Sequence, residues 1–179
     1  MPLFRTTIAA LCICTGVASA LAICPSNVNF KLEAAGKYLT PGYPCESHTG
    51  CGAYFSVDSS TDFEYTIAAG TSSLLIANVP AGSLTPAGLY AHGTAFAPGQ
   101  LTVMFGTGPP RDMNCTIVPD LSLLDGSCNL ECQGVSEGVK SSGQSIFTDY
   151  ANQWFLGQAS GMQTVTVKVR YVDGGLGLM

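Results

Sequence analysis

The sequence predicts an all-β domain, a mostly antiparallel β-sandwich or barrel over residues 24–173 that is stabilised by disulfides. Short β-rich segments recur at roughly 8–12-residue spacing with turn residues between them, which is typical of sandwiches and barrels. Only 11% of the residues are charged, and Gly, Ser, Thr and Ala are abundant, as in many exported β proteins. An even number of cysteines follows the amino-terminal segment, which indicates a disulfide framework.

The amino-terminal half contains most of the predicted strands. Residues 27–33 alternate between polar and apolar side chains, which predicts a half-buried strand with Val28, Phe30 and Leu32 on one face. A Pro- and Gly-rich loop is predicted at 40–48. Further short β-rich runs are separated by turn-forming residues: 53–57, 63–67, 74–79, 89–96 and 101–105. Because 52–114 contain no cysteine, this stretch must be stabilised by packing, and we place the central sheet there.

The carboxy-terminal half contains one clear strand and one segment with two interpretations. At 164–171, valines and Tyr171 alternate with Thr166, Lys168 and Arg170, which predicts a strand. Apolar residues recur about every four positions near 145–156, and Gly157 follows them, which favours one short helix. The residues that carry this spacing are Ile146, Phe147, Tyr150, Ala151, Trp154 and Phe155. A strand–turn–strand is the alternative for the same segment.

The first twenty residues have the three-part layout of a secretory signal peptide. Arg5 precedes an uncharged apolar stretch at 8–17, and Ala18-Ser19-Ala20 supplies the small residues of a cleavage site. The apolar stretch is shorter than the roughly 20 residues that a membrane-spanning helix needs. We therefore expect a signal peptide at 1–20, a single mature domain at 21–179, and a secreted, extracellular protein that does not insert into a membrane.

The charge of the mature chain argues against a nucleic-acid partner. Without Arg5, the chain has six basic and twelve acidic residues, so its net charge is −6. The basic residues are scattered along the sequence, whereas proteins that bind phosphate backbones group their lysines and arginines. We therefore expect an acidic protein with no nucleic-acid partner.

The cysteines of the mature segment are predicted to form three disulfides, since an oxidising compartment favours pairing. They are Cys24, Cys45, Cys51, Cys115, Cys128 and Cys132. We expect a local Cys45–Cys51 bridge and a bond that joins the 115–132 cluster within itself or to Cys24. Cys45, His48 and Cys51 also form a C-x2-H-x2-C pattern of metal-type ligands. Zinc sites usually need a fourth ligand, and His92 is the only other histidine. Because two nearby cysteines in an oxidising compartment pair more readily than they bind a metal, no metal or cofactor is expected.

Two sequence patterns suggest hydrolytic chemistry. Residues 134–138 match G-x-S-x-G, but a nucleophile elbow lies between a strand and a helix and is followed by its histidine. Both histidines of this chain precede Ser136, so a flexible loop is predicted there instead. If Asp62 and Glu64 lie on one strand, they share a face about 6.5–7 Å apart, within the range that glycosidases use. A solvated strand face has the same pattern. The carboxylates considered for this role are Asp58, Asp62, Glu64, Asp120 and Asp125.

Recognition residues are predicted around the first cysteine loop. Tyr38, Tyr43 and His48 lie within residues 36–51, and Tyr54 flanks the same loop. A Cys45–Cys51 bridge would restrict the loop before binding, which reduces the entropy lost on association. The alternative is that the tyrosines pack back onto the sheet.

A modification site is also predicted near the second group of cysteines. Asn114-Cys115-Thr116 is an N-glycosylation sequon, which makes Asn114 a candidate acceptor. Early pairing of Cys115 would work against the modification, because the cysteine lies in the middle of the sequon.

In layout, the chain resembles small secreted cysteine-rich proteins of fungi, many of which are effectors or surface-associated proteins. The resemblance rests on the signal ending Ala18-Ser19-Ala20, the six mature cysteines and the single Gly/Ser/Thr-rich domain. It implies a non-enzymatic, effector-like or surface-binding protein whose loops contact an extracellular protein or polysaccharide. A small secreted carbohydrate-active hydrolase and a passive cell-wall or coat component are the two alternatives.

Overall fold

The structure, a computed structural model, describes residues 24–42, 45, 50–57, 63–107, 113–123, 125–136, 138–148, 151–158 and 160–172. These residues form fourteen strands, and no α-helix occurs among them. The strands are β1 (Phe30–Ala34), β2 (Lys37–Pro41), β3 (Cys51–Ser56), β4 (Glu64–Ile67), β5 (Leu74–Asn78), β6 (Tyr90–Ala97), β7 (Gln100–Gly106), β8 (Met113–Pro119), β9 (Cys128–Ser136), β10 (Val139–Ser142), β11 (Gln144–Phe147), β12 (Gln153–Leu156), β13 (Met162–Thr164) and β14 (Val167–Tyr171).

The strands pair antiparallel, which confirms the predicted all-β fold. Seven of them pair in the order β1, β2, β3, β7, β6, β5, β4, and β4 returns to β1 through the pair Phe30 and Tyr65. The sheet therefore closes on itself as a barrel-like ring. Strands β14, β9, β8 and β10 continue outward from β1, while β12, β11 and β13 continue from β3 and β7.

The core lies inside the ring because alternate residues of each strand point inward. In β7, Leu101, Val103 and Phe105 are fully buried, whereas the residues between them are only partly buried. Tyr65 of β4 stacks on Phe105 with the ring centroids 5.8 Å apart, and its hydroxyl donates to the Leu39 carbonyl of β2 at 2.9 Å. These two contacts connect three strands across the interior. Burial raises the pKa of Tyr65 well above its ordinary value, so the phenol stays a hydrogen-bond donor.

The predicted strands at 53–57, 63–67, 74–79, 89–96 and 101–105 correspond to β3 through β7, with ends that differ by one or two residues. The first predicted strand also occurs, as β1, but it begins at Phe30 and leaves Val28 38% exposed. The strand at 164–171 is divided into β13 and β14, with Val167 and Val169 buried as predicted.

The predicted helix near 145–156 is wrong. Strands β11 and β12 form an antiparallel hairpin in which Ile146 lies opposite Trp154 and Ser145 lies opposite Phe155. Ala151 and Asn152 lie in the turn with positive φ angles of 53° and 61°, a conformation that breaks a right-handed helix. The alternative interpretation of this segment, strand–turn–strand, is therefore correct.

The helix-like spacing arises because β12 is buried on both faces. Trp154 and Leu156 point into the core. Phe155 points outward, and the rings of Phe96 and Phe147 lie 5.1 and 6.1 Å from it. A strand covered on both faces loses its polar–apolar alternation, so periodicity cannot distinguish it from a buried helix.

Strands β2, β8, β9 and β10 are not predicted by the sequence patterns. The signal in β9 becomes visible when cysteine is counted as an apolar residue, since Cys128, Leu130 and Cys132 are buried and alternate with Asn129 and Glu131. Free and paired cysteines are among the most buried residue types, which justifies that choice. The Pro- and Gly-rich loop predicted at 40–48 begins later than expected, because β2 extends to Pro41.

Three disulfides connect the six cysteines of the described residues, as predicted. Cys45 pairs with Cys51, Cys115 with Cys132, and Cys24 with Cys128, at Cα–Cα distances of 4.8, 4.1 and 5.9 Å. The second bond joins β8 to β9, and the third joins the segment before β1 to the start of β9.

Two sequence-based expectations concern the membrane and the amino terminus. In the part of the chain that the structure describes, no helix has both the length and the apolar character needed to cross a membrane. The predicted signal peptide at 1–20 lies outside the described residues.

Candidate functional site

Two tyrosines share the outer surface of the β2–β3 hairpin. Tyr38 lies opposite Ser56 and Thr40 lies opposite Tyr54, while the alternate residues Leu39 and Phe55 are buried in the core. Tyr38 and Tyr54 are therefore diagonal neighbours on one face, about 7–8 Å apart. Both are partly buried, so part of each side chain stays accessible to solvent. We call this pair the tyrosine platform.

The ring of Tyr54 lies on two glycines. A β-carbon at Gly42 or Gly52 would come within 2.7 Å of the Tyr54 ring, so a side chain at either position would displace the ring. The Gly42 amide also donates to the Gly52 carbonyl at 2.7 Å, which holds the two glycines together. The position of the Tyr54 ring is thus fixed by backbone packing before any partner arrives.

The loop that joins β2 to β3 is closed at the platform by the Cys45–Cys51 disulfide. The binding residues Tyr43 and His48, predicted in this loop, lie outside the described residues, whereas Tyr38 lies on the platform. Since both cysteines of the C-x2-H-x2-C pattern are bonded to each other, neither can act as a thiolate ligand. The described part of the chain contains no group of three His, Cys, Asp or Glu residues that could hold a metal ion.

The described candidate carboxylates lie in two places, and Asp120 and Asp125 are neighbours within one loop. Glu64 lies on β4 and accepts a hydrogen bond from Asn29 Nδ2 at 2.8 Å, while Asp120 and Asp125 lie in the loop between β8 and β9. Asp58 and Asp62 lie outside the described residues, so the predicted pairing of Asp62 with Glu64 stays a prediction.

Asp120 and Asp125 organise the β8–β9 loop. Asp120 Oδ1 accepts hydrogen bonds from the Ser122 hydroxyl at 2.5 Å and from the Ser122 amide at 3.0 Å, and Asp125 Oδ1 accepts from the Ser127 amide at 2.9 Å. Hydrogen bonds from the side chain and backbone of Ser122 lower the pKa of Asp120, and those from Ser127 lower the pKa of Asp125. Both carboxylates are therefore ionised at neutral pH, which does not suit the general acid of a glycosidase.

The loop is expected to lose these hydrogen bonds only in acid. A carboxylate whose pKa is lowered by folding stabilises the fold above the unfolded pKa of about 3.9, and the contribution is lost as the pH falls through the lower, folded value. In an NMR titration, the Ser122 amide should therefore shift with a midpoint below that of an unperturbed aspartate. Asp120→Asn, which keeps an acceptor oxygen but cannot ionise, should abolish the shift. A midpoint at or above the unperturbed value would contradict the structure.

The G-x-S-x-G pattern lies in a hairpin and not at a strand–helix junction. Ser136 ends β9 and pairs through its backbone with Val139 of β10, and Gly138 takes a positive φ of 78° in the turn. The prediction of a flexible loop at this position is therefore wrong, because β9 and β10 form a β-hairpin there. The geometry still differs from that of a nucleophile elbow, which requires a helix after the serine.

The candidate glycosylation site lies on the exposed face of β8. Asn114 and Thr116 both point to solvent, whereas Cys115 between them is buried and bonded to Cys132. The acceptor face of the sequon is therefore accessible in the folded chain, and modification of Asn114 stays a prediction.

The chain matches no protein-family model, and comparisons with curated proteins and with solved structures also find no match.

Proposed function

We propose that the protein is a secreted, non-enzymatic binding protein, effector-like or surface-binding, that contacts an extracellular partner through the tyrosine platform and the bridged loop beside it. The observation that carries the proposal is the shared outer face of Tyr38 and Tyr54 on a hairpin whose connecting loop is closed by the Cys45–Cys51 disulfide.

The platform is suited to recognition because it is rigid before binding. Tyrosine offers a large contact area with few rotatable bonds, so little conformational entropy is lost when a partner covers it. The glycines under Tyr54 and the nearby disulfide reduce that loss further.

An extracellular location is supported by the disulfides and the amino-terminal sequence. Disulfides persist in oxidising compartments and are rare in the cytosol, and all six mature cysteines of this chain are paired. The charged, apolar and small-residue regions of 1–20 follow the order of a secretory signal. The layout of small secreted fungal proteins agrees with both features.

The hydrolase alternative has weaker support. Of its five candidate carboxylates, Asp120 and Asp125 maintain the β8–β9 loop and have lowered pKa values, whereas Glu64 lies on β4. Two carboxylates with well-separated pKa values, one of them raised, are the usual requirement for glycoside hydrolysis. A passive coat component needs no specific contact surface. The binding experiment described next tests this alternative as well, because a passive component would capture no specific partner.

The proposal is tested with mature protein immobilised as bait for extracellular fluid. Tyr38→Ala, and separately the double variant Tyr43→Ala/His48→Ala, should lose the captured partner while the unfolding midpoint stays unchanged. Leu121→Ala is the matched control, since Leu121 is 80% exposed and belongs to the β8–β9 loop and not to the platform.

Capture that is unaffected by the tyrosine variants would remove the platform from consideration. Lost stability in these variants would show that the tyrosines act as core residues. Turnover of a cell-wall polysaccharide that disappears in Asp62→Asn or Glu64→Gln, with folding preserved, would establish the hydrolase instead.

A further inference from the structure

The tyrosine platform continues across the sheet as a row of side chains. Tyr54 of β3 lies opposite Gln153 of β12, and Gln153 lies opposite Phe147 of β11. Residues directly opposed in an antiparallel pair point to the same face, so an aromatic ring, an amide and a second aromatic ring follow one another. All three are partly buried. Their neighbours along the strands point the other way and are fully buried: Phe55, Trp154 and Ile146.

The spacing of this row suits a chain of sugar rings. Adjacent strands lie about 4.8 Å apart, so Tyr54 and Phe147, two strands apart, are separated by roughly 9–10 Å. That separation is close to the length of a disaccharide unit in an extended polysaccharide. The two aromatic rings can therefore cover the apolar faces of alternate sugars, while the Gln153 amide supplies both a donor and an acceptor for hydroxyl groups.

The strands that contain the row have no charged residue. Six strands, β3, β6, β7, β11, β12 and β13, contain no Asp, Glu, Lys or Arg at all. On β2 the only charged residue is Lys37, at the margin, and its Nζ donates to Asn152 Oδ1 at 3.0 Å.

Four charged residues lie on the outer surface of β1 and β14, and this surface adjoins the platform, since Glu33 lies opposite Tyr38. Lys31 there lies opposite Arg170, and Glu33 opposite Lys168. Arg170 Nε also forms an ion pair with Glu33 at 2.8 Å. The strands of the row contain no basic residue, so the row fits an uncharged ligand better than nucleic acids or acidic polysaccharides, which require basic contacts.

A second aromatic group supports the row from the side. Phe155 of β12 is 1% exposed because it lies between Phe96 and Phe147, with ring centroids 5.1 and 6.1 Å away. Both contacts are edge-to-face, the arrangement that aromatic pairs favour. Phe147 is thus held by a buried ring, and the 56% exposed Phe96 extends the aromatic surface to β6.

We propose that this part of the sheet binds a neutral polysaccharide, with Phe147, Gln153 and Tyr54 as the contact row. The inference rests on the proposed function and names the ligand of the same site.

The test measures binding of the mature protein to a soluble, linear neutral β-glucan, with polygalacturonate as the matched acidic polysaccharide. Saturable binding to the neutral glycan that is insensitive to added salt is expected, because no ion pairs form. Phe147→Ala and Tyr54→Ala should each weaken it by roughly tenfold, in line with the loss of one aromatic contact. Gln153→Ala should weaken it less, and Leu121→Ala should leave it unchanged.

The outcomes separate this inference from the proposed function. If the neutral glycan does not bind but Tyr38→Ala still abolishes capture of an extracellular protein, the glycan inference is wrong and the binding function stands. If neither ligand is bound, both are wrong. Salt-sensitive binding to polygalacturonate alone would also overturn the inference. Should Phe147→Ala fail to fold, Gln153→Ala decides, since truncation of its half-buried amide leaves the core intact.

Discussion

Replacement of Phe55 by alanine should lower the free energy of unfolding by about 3–5 kcal/mol, the usual cost of removing a large aromatic side chain from a core. Phe55 is fully buried in β3, inside the ring of strands. Its ring meets that of Trp154 edge to face, with the centroids 6.0 Å apart. The substitution therefore removes both buried area and the contact that joins β3 to β12.

Trp154 makes the prediction easy to measure, because it is the only tryptophan in the chain and is fully buried. Urea unfolding can be followed by its fluorescence, and the native emission of Phe55→Ala should also shift as the cavity changes the surroundings of the indole. Val57→Ala is the matched control. Val57 directly follows the same strand but is 66% exposed, so its truncation should change the free energy of unfolding by less than about 0.5 kcal/mol. Equal effects of the two substitutions would contradict the position of Phe55 in the core.

The sequence predicts those strands that have one buried and one solvated face. In β7 the side chains alternate strictly, and this strand was predicted to within a residue at each end. The same reasoning failed at β12, where the outward-facing Phe155 is covered by Phe96 and Phe147. Alternation reports on exposure, so a strand whose outer face is covered carries no period-two signal.

The sequence predicts only those residues of the candidate site that lie close together along the chain. Tyr38 could be proposed from its position beside the first cysteine loop, because the loop and the tyrosine are adjacent in sequence. The row of Tyr54, Gln153 and Phe147 depends on the pairing of β3 with β12, which lie about one hundred residues apart. Tertiary packing sets that register, and no local pattern in either strand specifies it.

The disulfides follow the same division between local and distant contacts. Cys45 and Cys51 are six residues apart, and their pairing was expected from proximity. Cys24 and Cys128 are separated by 104 residues, and spacing alone leaves their pairing open. The bond forms where the segment before β1 reaches β9, which depends on how β14 brings β1 and β9 together.

Removal of the Cys24–Cys128 bond should destabilise the fold more than removal of either other disulfide. A cross-link stabilises mainly by restricting the unfolded chain, and the effect grows with the length of the closed loop. For a separation of 104 residues, the expected loss is about 4–5 kcal/mol. The 17-residue separation of Cys115 and Cys132 corresponds to about 3 kcal/mol. The six-residue separation of Cys45 and Cys51 corresponds to about 2 kcal/mol.

Three double variants test this order: Cys24→Ser/Cys128→Ser, Cys115→Ser/Cys132→Ser and Cys45→Ser/Cys51→Ser. Their urea unfolding, followed by Trp154 fluorescence, should rank the losses in the order of loop length. Loss of the bond that closes the long loop has the largest expected effect on the free energy of unfolding. This effect is comparable to the whole stability of many small domains. Reduction of the disulfides should therefore unfold the wild-type protein. A first variant no less stable than the third would contradict the assigned pairing, because a bond across six residues restricts the unfolded chain far less than one across 104.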